Sequence, residues 1–321
     1  MYEYDFKIAV LGGGTGLSTI LRGLKRYPVE ITAIVTVADD GGSSGSLRAD
    51  LQIPPPGDIR NVLVSLSEAE PLVRDLFQYR FEEGNGLKGH PIGNLLIAAM
   101  TNITGDFTTA IRNLSEVLNV RGRVLPVCNE ALSLGARYED GTWVCGESNI
   151  PNQTKKIKQV YYDCDTPPKA LDEAVEAIMD ADMVILAPGS LYTSIIPNLL
   201  LEDIARAVSI TKAKCVYCCN IMTQPGETTG FPVSEHLKAI EEHVGSRFID
   251  KVLVNDGKVK QETIDRYSDK NSEVVEIDVD VLKAMDIDVI RSRIVSYTKS
   301  GEVRHNSKKV AAMLFSLLLD T

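Results

Sequence analysis

The stretch FKIAVLGGGTGLSTILRGL, residues 6–24, decides the fold class. Phe6 to Leu11 is a short apolar run, and it leads straight into Gly12-Gly13-Gly14-Thr15-Gly16. Leu17, Ile20, Leu21 and Leu24 then recur at the i, i+3, i+4, i+7 spacing of one helix face. The order is strand, glycine loop, helix. Ile31 to Val37 supplies the next strand, ends at Asp39-Asp40 and completes a parallel βαβ unit.

Outward from this unit the alternation continues. Asp58 is expected to cap a helix whose apolar positions are Ile59, Val62, Leu63 and Leu66. Pro71 opens another helix, and Leu95 to Met100 is apolar on every side, which predicts a buried one. Asp106 caps a helix that turns Phe107, Ile111, Leu114 and Leu118 inward. Between Gly122 and Tyr162 the pattern changes to short strands: GRVLPVC, ALSLGARY, TWVCGE and IKQVYY. This is read as a β-rich excursion at about 122–162, a flap or an edge addition. A helix through Ile178, the fully apolar strand Met183 to Ala187 and the loop Pro188 to Ser194 follow. Next come a helix through Val208, the strand Cys215 to Asn220, a helix stopped by Gly245 and the strand Lys251 to Val254. The fold class is α/β: a doubly wound, mostly parallel Rossmann-like sheet with a small β-rich excursion. We read residues 1–321 as a single nucleotide-binding domain. The apolar run Val310 to Leu319 is too short to span a bilayer and predicts a buried helix after an Asn306 cap.

Composition narrows the function classes. A net charge of −10 repels nucleic-acid backbones and anionic membranes, but backbone amides and a few arginines can still hold a small anion. Met1 to Val10 lacks a basic segment followed by an apolar core, so a cytoplasmic protein with reduced cysteines is expected. Cys215 and Cys218 match C-x-x-C within a strand pattern, where residues three apart face opposite sides and cannot share a metal.

The chemistry gathers where strands end. Small polar clusters at 12–16, 39–46, 188–194 and 220–230 all follow predicted strands, and open α/β sheets bind ligands outside those ends. Gly12, Gly13, Gly14, Thr15 and Gly16 let backbone amides approach a phosphate at a helix start, although a ligand-free tight turn has the same composition. No Gly-Lys-Ser/Thr follows, so this is not a Walker loop. Asp39 and Asp40 suit a ribose, a Mg²⁺ ion beside phosphates, or a simple turn, and the sequence leaves the three open. Gly41 to Gly45 adds the hydroxyls of Ser43 and Ser44 and contains G-x-S-x-G, the nucleophile-elbow pattern. The bases this would need, His236 or His243, fall on a polar helix read as solvated, which argues against a hydrolase. Pro188, Gly189, Ser190, Leu191, Tyr192, Thr193 and Ser194 form a second small-residue loop before a helix, suited to phosphate or to plain capping. Arg48 and Arg60 are candidate phosphate clamps, with surface salt bridges as the bland alternative. Asn94, His90 and Asn220 complete the candidates. No nucleophile–base pair is evident.

Six motifs in order then carry a resemblance: GGGTGLSTILRGL, VADDGGSSGSLR, PPPGDIRN, GHPIGNLL, APGSLYTSIIPNLL and CNIMTQPGET. Together they resemble the bacterial gluconeogenesis factors of the YvcK type, which are related to 2-phospho-L-lactate transferase. The resemblance implies a regulatory nucleotide-binding protein needed for gluconeogenic growth and normal cell morphogenesis. It implies UDP-sugars such as UDP-N-acetylglucosamine, or NAD, as the bound ligand. A homo-oligomer or a regulatory protein partner would pass the signal on. The related branch implies the alternative: a Mg²⁺-dependent transferase acting on a nucleotide-activated phosphate, with Asp39 and Asp40 at the metal.

Overall fold

A computed structural model describes residues 6–320, so positions 1–5 of the stretch inspected for a leader lie outside the described residues. Strand β1 (Phe6–Gly12), helix α1 (Gly14–Leu24) and β2 (Val29–Val35) open the chain. Helices α2 (Gly42–Leu51), α3 (Pro56–Leu66), α4 (Pro71–Gln78), α5 (Ile92–Thr104) and α6 (Phe107–Val117) lead to β3 (Arg123–Pro126). Next come β4 (Leu134–Tyr138), β5 (Trp143–Cys145), β6 (Ile157–Tyr162), α7 (Asp172–Met179) and β7 (Met183–Leu186). Helices α8 (Ile196–Leu199) and α9 (Glu202–Ile210), strand β8 (Lys214–Cys218), α10 (Val233–Val244) and β9 (Lys251–Asn255) follow. Last are α11 (Gln261–Ser268), α12 (Val279–Ala284), β10 (Asp288–Ser292), β11 (Val295–Tyr297), β12 (Val303–His305) and α13 (Ser307–Leu319).

The main sheet has seven strands in the order β10-β9-β8-β7-β1-β2-β3. Every pairing in it is parallel. Alternate residues feed two cores, one on each face. Ala9, Leu11, Ile34 and Val184 belong to one; Ile8, Val10, Ala33 and Met183 belong to the other. Helices cover both faces, as the apolar β1 and β7 require. The expected doubly wound Rossmann-like sheet is present. Its order reverses between β1 and β7, and a crevice opens at such a switch point. Cys215 and Cys218 fall in opposite cores, and all six cysteines are unpaired thiols.

Four sequence readings are corrected. The excursion is shorter than 122–162, because β3 pairs in parallel with β2 and belongs to the main sheet. Val124 and Leu125 enter opposite cores, as the neighbours in a doubly covered strand do. Only β4, β5 and β6 form the separate antiparallel sheet, in the order β5-β4-β6. Helix α5 is not buried all round: Leu96 is 37% and Ile103 77% exposed. Its inward face is built from Gly93, Asn94, Ile97, Ala98 and Thr101, so position and not polarity sets its burial. The helix expected through Val208 is broken into a π turn at Leu191–Ile195, then α8, then α9. Pro197 lies in the first turn of α8 and brings no amide donor. Finally, Asp58 does not cap α3. Pro55 holds the cap position and Asp58 sits inside the first turn.

Other local readings hold. The Asp106 carboxylate accepts from Thr109 N at 2.6 Å, and Asn306 Oδ1 accepts from Lys309 N at 3.1 Å. Gly245 ends α10 in the left-handed conformation that glycine adopts freely. Among the described residues no helix is long and apolar enough to cross a membrane.

Candidate functional site

The four polar loops leave four adjacent strands, β8, β7, β1 and β2, at their carboxyl ends. The two loops at the switch point touch. A Cβ on Gly16 would fall 1.7 Å from the Pro188 carbonyl oxygen, and one on Gly13 would fall 3.4 Å from Ser194 Cβ. Only glycine permits this approach. Asn220 ties the second loop to β8: Gly189 N–H donates to its Oδ1 at 3.0 Å, and its Nδ2 donates to Gly189 O at 2.7 Å. Beside the joined loops lies a cavity of about 380 Å³. Thr15, Gly16, Pro188, Gly189, Ser190 and Asn220 line it, together with Tyr267, Lys270, Arg304 and His305 of the later segments.

Carboxylates hold the two helix starts. Asp58 accepts a hydrogen bond from the Gly14 amide, and burial and then the charge of Asp39 push its pKa up to about 6. Glu227 accepts from Tyr192 N at 2.9 Å and from the Thr193 hydroxyl at 3.2 Å, and burial pushes it up to about 7. Glu147, on the excursion, is pushed up to about 8 by burial and then by Asp39 and Asp40. Asp40 itself accepts from Ser148 N at 2.9 Å, while Asp39 accepts from Gly41 N at 3.0 Å. The Ser190 hydroxyl donates to Gln224 Oε1 at 2.8 Å. Leu191 and Tyr192 point their side chains into the core, so only their backbone borders the loop. Like charges gathered this closely favour a proton or a cation. Among the described residues, no group of three or more His, Cys, Asp or Glu side chains is arranged to hold a metal unaided.

On the β2 side a polar relay is assembled from three segments. Ser43 Oγ lies 2.9 Å from His90 Nδ1, and Asn94 Nδ2 donates to Ser43 Oγ at 3.0 Å. Arg60 donates to Asn94 Oδ1 at 2.8 Å and to Asn61 Oδ1 at 2.9 Å. Arg60 is only 7% exposed, its Nε has no partner, and it makes no surface ion pair. Ser44 is buried beneath Gly57. Two expectations are corrected here. The histidine facing Ser43 is His90, so a serine–histidine pair does exist. His236 is fully buried, with Nδ1 against Pro232 O, and burial lowers its pKa; His243 Nε2 accepts from Val160 N at 3.0 Å. Neither reaches Ser43. Ser43 also lacks the sharp elbow, because 36–41 separate it from β2 and it lies in the first turn of α2. Arg48 bonds Ser133 Oγ at 2.7 Å and ties α2 to the start of the excursion.

The family described as 2-phospho-L-lactate transferase CofD matches residues 8–295. The chain belongs to that family. It is also similar to the gluconeogenesis factor of Bacillus subtilis (strain 168): 54% identical over 314 residues, 97% of this chain and 98% of that relative. The gluconeogenesis factor of Halalkalibacterium halodurans is 53% identical over 306 residues, 95% of this chain and 94% of its own. A crystal structure of a Bacillus halodurans protein superposes with a TM-score of 0.94 at 51% identity, covering 97% of this chain and 99% of that one.

Within this CofD-family fold the sequence reading missed Asp58, Glu147 and Glu227 as site residues, and Lys270, Arg304 and His305 as cavity walls. Asp58 and Glu227 do lie inside motifs already singled out, PPPGDIRN and CNIMTQPGET. Their acidity within glycine-rich motifs was the available signal. Glu147, Lys270 and Arg304 come from segments with no such local mark.

Proposed function

We propose that the chain binds a phosphate-bearing nucleotide, a UDP-sugar such as UDP-N-acetylglucosamine or an NAD-type dinucleotide, in the switch-point crevice. The binding serves regulation: it links metabolite level to gluconeogenic growth and cell morphogenesis through a protein partner or the protein's own oligomer, in the cytoplasm. One observation carries the reading: the glycine loop after β1 and the Pro188–Ser190 loop after β7 abut and share one cavity wall. Lys270 and Arg304 also line this cavity and supply positive charge toward a phosphate, Arg304 while paired to Glu302 at 2.7 Å. The names of the relatives support the gluconeogenic role. Calorimetric titration with UDP-N-acetylglucosamine and with NAD tests it. Binding to one of them, weakened by Arg304→Ala, is expected; heatless titrations with both overturn it.

A second reading is favoured by the Asp39–Asp58 pair. Mg²⁺ prefers one or two carboxylates plus phosphate oxygens, and a cation would relieve the burial and the like charge that raise the pKa of Asp58 beside Asp39. Asp39 and Asp40 would hold it together with phosphate oxygens of the nucleotide, with Asp58 beside Asp39, and when bound it would neutralise charge on a transferred phosphate. The buried Arg60 orients Asn94, which in turn holds Ser43 toward His90, so an acceptor hydroxyl near Ser43 would find a proton acceptor in place. Nucleotide affinity unchanged by EDTA and by Asp58→Asn would rule this reading out.

A further inference from the structure

We infer a second anion site, built for a small phosphate-bearing molecule, on the outer face of α1. A cavity of about 670 Å³ lies there between α1, α3 and α4. Thr15, Ser18, Arg22 and Lys25 line it at the spacing of one helix stripe, and Arg26 and Arg74 join them. Four cations therefore converge in a chain with 34 basic and 44 acidic residues. Among the described residues none of the four is in an ion pair. Asp75 is the one carboxylate on the wall, and Glu68 stands near Lys25.

Two polar atoms in this wall lack a hydrogen bond within the protein. Ser18 is 2% exposed and its hydroxyl has no hydrogen bond; the Arg74 Nε is also buried without one. Buried polar atoms in folded proteins are normally satisfied. Lys25 reaches a single acceptor, Ser67 O at 2.7 Å, and Arg22 Nε a single one, Ser18 O at 3.2 Å. Arg22 and Arg26 are exposed, and the charges of Arg22, Arg26 and Arg74 all act on Lys25 with the same sign. Burial, and then Arg74, lowers the pKa of Lys25, with Glu68 offsetting only part of the repulsion. A phosphate group offers several acceptor oxygens and two negative charges, which answers the repulsion among the four cations.

The site is separate from the crevice, yet Thr15 borders both cavities. An anion seated against α1 therefore shares the first turn of that helix with the crevice ligand. This makes it an effector site for a phosphorylated metabolite, and it stands whichever nucleotide fills the crevice.

The test uses inorganic tripolyphosphate as the probe, in calorimetric titrations of the intact protein. Wild type is expected to bind it, and Arg22→Gln/Arg26→Gln/Arg74→Gln is expected to weaken binding about tenfold or more. Arg304→Ala, in the crevice, is expected to leave this binding in place. Loss with Arg304→Ala and retention in the triple variant would overturn the proposal, as would no binding to wild type. Binding of poly-glutamate without tripolyphosphate would also overturn it, in favour of an acidic protein partner. Should the triple variant fail to fold by circular dichroism, Arg22→Gln alone, at an exposed position, supplies the same comparison.

Discussion

Individual residues at the crevice are set by close approach and by charge. Gly16 lies within α1, where alanine is ordinarily better than glycine by about 1 kcal/mol. Here its Cβ would meet the Pro188 carbonyl. Gly16→Ala is therefore expected to lower stability, reversing the helix-propensity sign, as urea denaturation would record. The carboxyls set the pH response. Asp58, Glu227 and Glu147 have folded pKa values raised to about 6, 7 and 8. In the unfolded chain such groups ionise near about pH 4, so the folded state holds the extra protons. Their contribution to stability is thus complete below that pH and drains as pH rises through 6 to 8. Unfolding free energy should fall by roughly 2 to 4 kcal/mol between about pH 5.5 and 8.5, and Glu147→Gln should flatten the decline. A flat profile in the wild type would refute the assignment. Legibility at this scale was uneven. Gly12–Gly16 could be placed at the end of β1 because strand, glycine loop and helix form a local pattern, whereas the pattern left the role of Asp39 and Asp40 open. Ser43 and His90 are 47 residues apart, and nothing in the chain says that they meet.

Elements decide how the site is closed. The three-stranded excursion packs Leu134, Ala136, Tyr138, Ile157 and Val160 into one core of the main sheet, and polar links fix its edges: Asp40 to Ser148 N, Arg48 to Ser133, and Tyr162 OH to Pro197 O at 2.9 Å. Its Glu147 therefore enters the acidic cluster only while this sheet is seated. Asp40→Ala is expected to raise hydrogen exchange at 146–152 while leaving that of β1 and β7 unchanged. The global cost should be about 1 to 3 kcal/mol, that of one charged hydrogen bond to a backbone amide. Uniform exchange across the chain would show that the excursion is not a separate element. Its strands were readable from alternation. Its start was misread because GRVLPVC is short and apolar, and such runs suit a sheet edge or a flap equally. The broken helix behind β7 likewise has an apolar pattern that cannot show where its axis turns.

For the whole molecule, the strand order creates the site. The chain runs from β1 outward to β3, then returns to the other side of β1 with β7 and continues to β10. Ligand walls thus come from both halves of the sheet and from the C-terminal segment carrying Arg304. A ligand in this crevice should protect amides at 13–16 and at 189–192 together, in hydrogen-exchange mass spectrometry. Protection of one loop alone would place the ligand elsewhere. At a free concentration one hundred times its dissociation constant, UDP-N-acetylglucosamine should stabilise the fold by about 2.7 kcal/mol.

The amino-acid pattern alone determined the α/β class, the parallel sheet, most element positions and the loops that face the crevice. Each depends on side-chain periodicity or on glycine and proline chemistry within a few residues. The tertiary structure alone decided that β3 joins the main sheet and that Asp58 and Glu227 hold the two helix starts. It alone placed Ser43 against His90 and brought Arg74 of α4 beside Arg22, Lys25 and Arg26 at the end of α1. These are contacts between distant segments, created by the order in which strands pack, and no local spacing encodes that order.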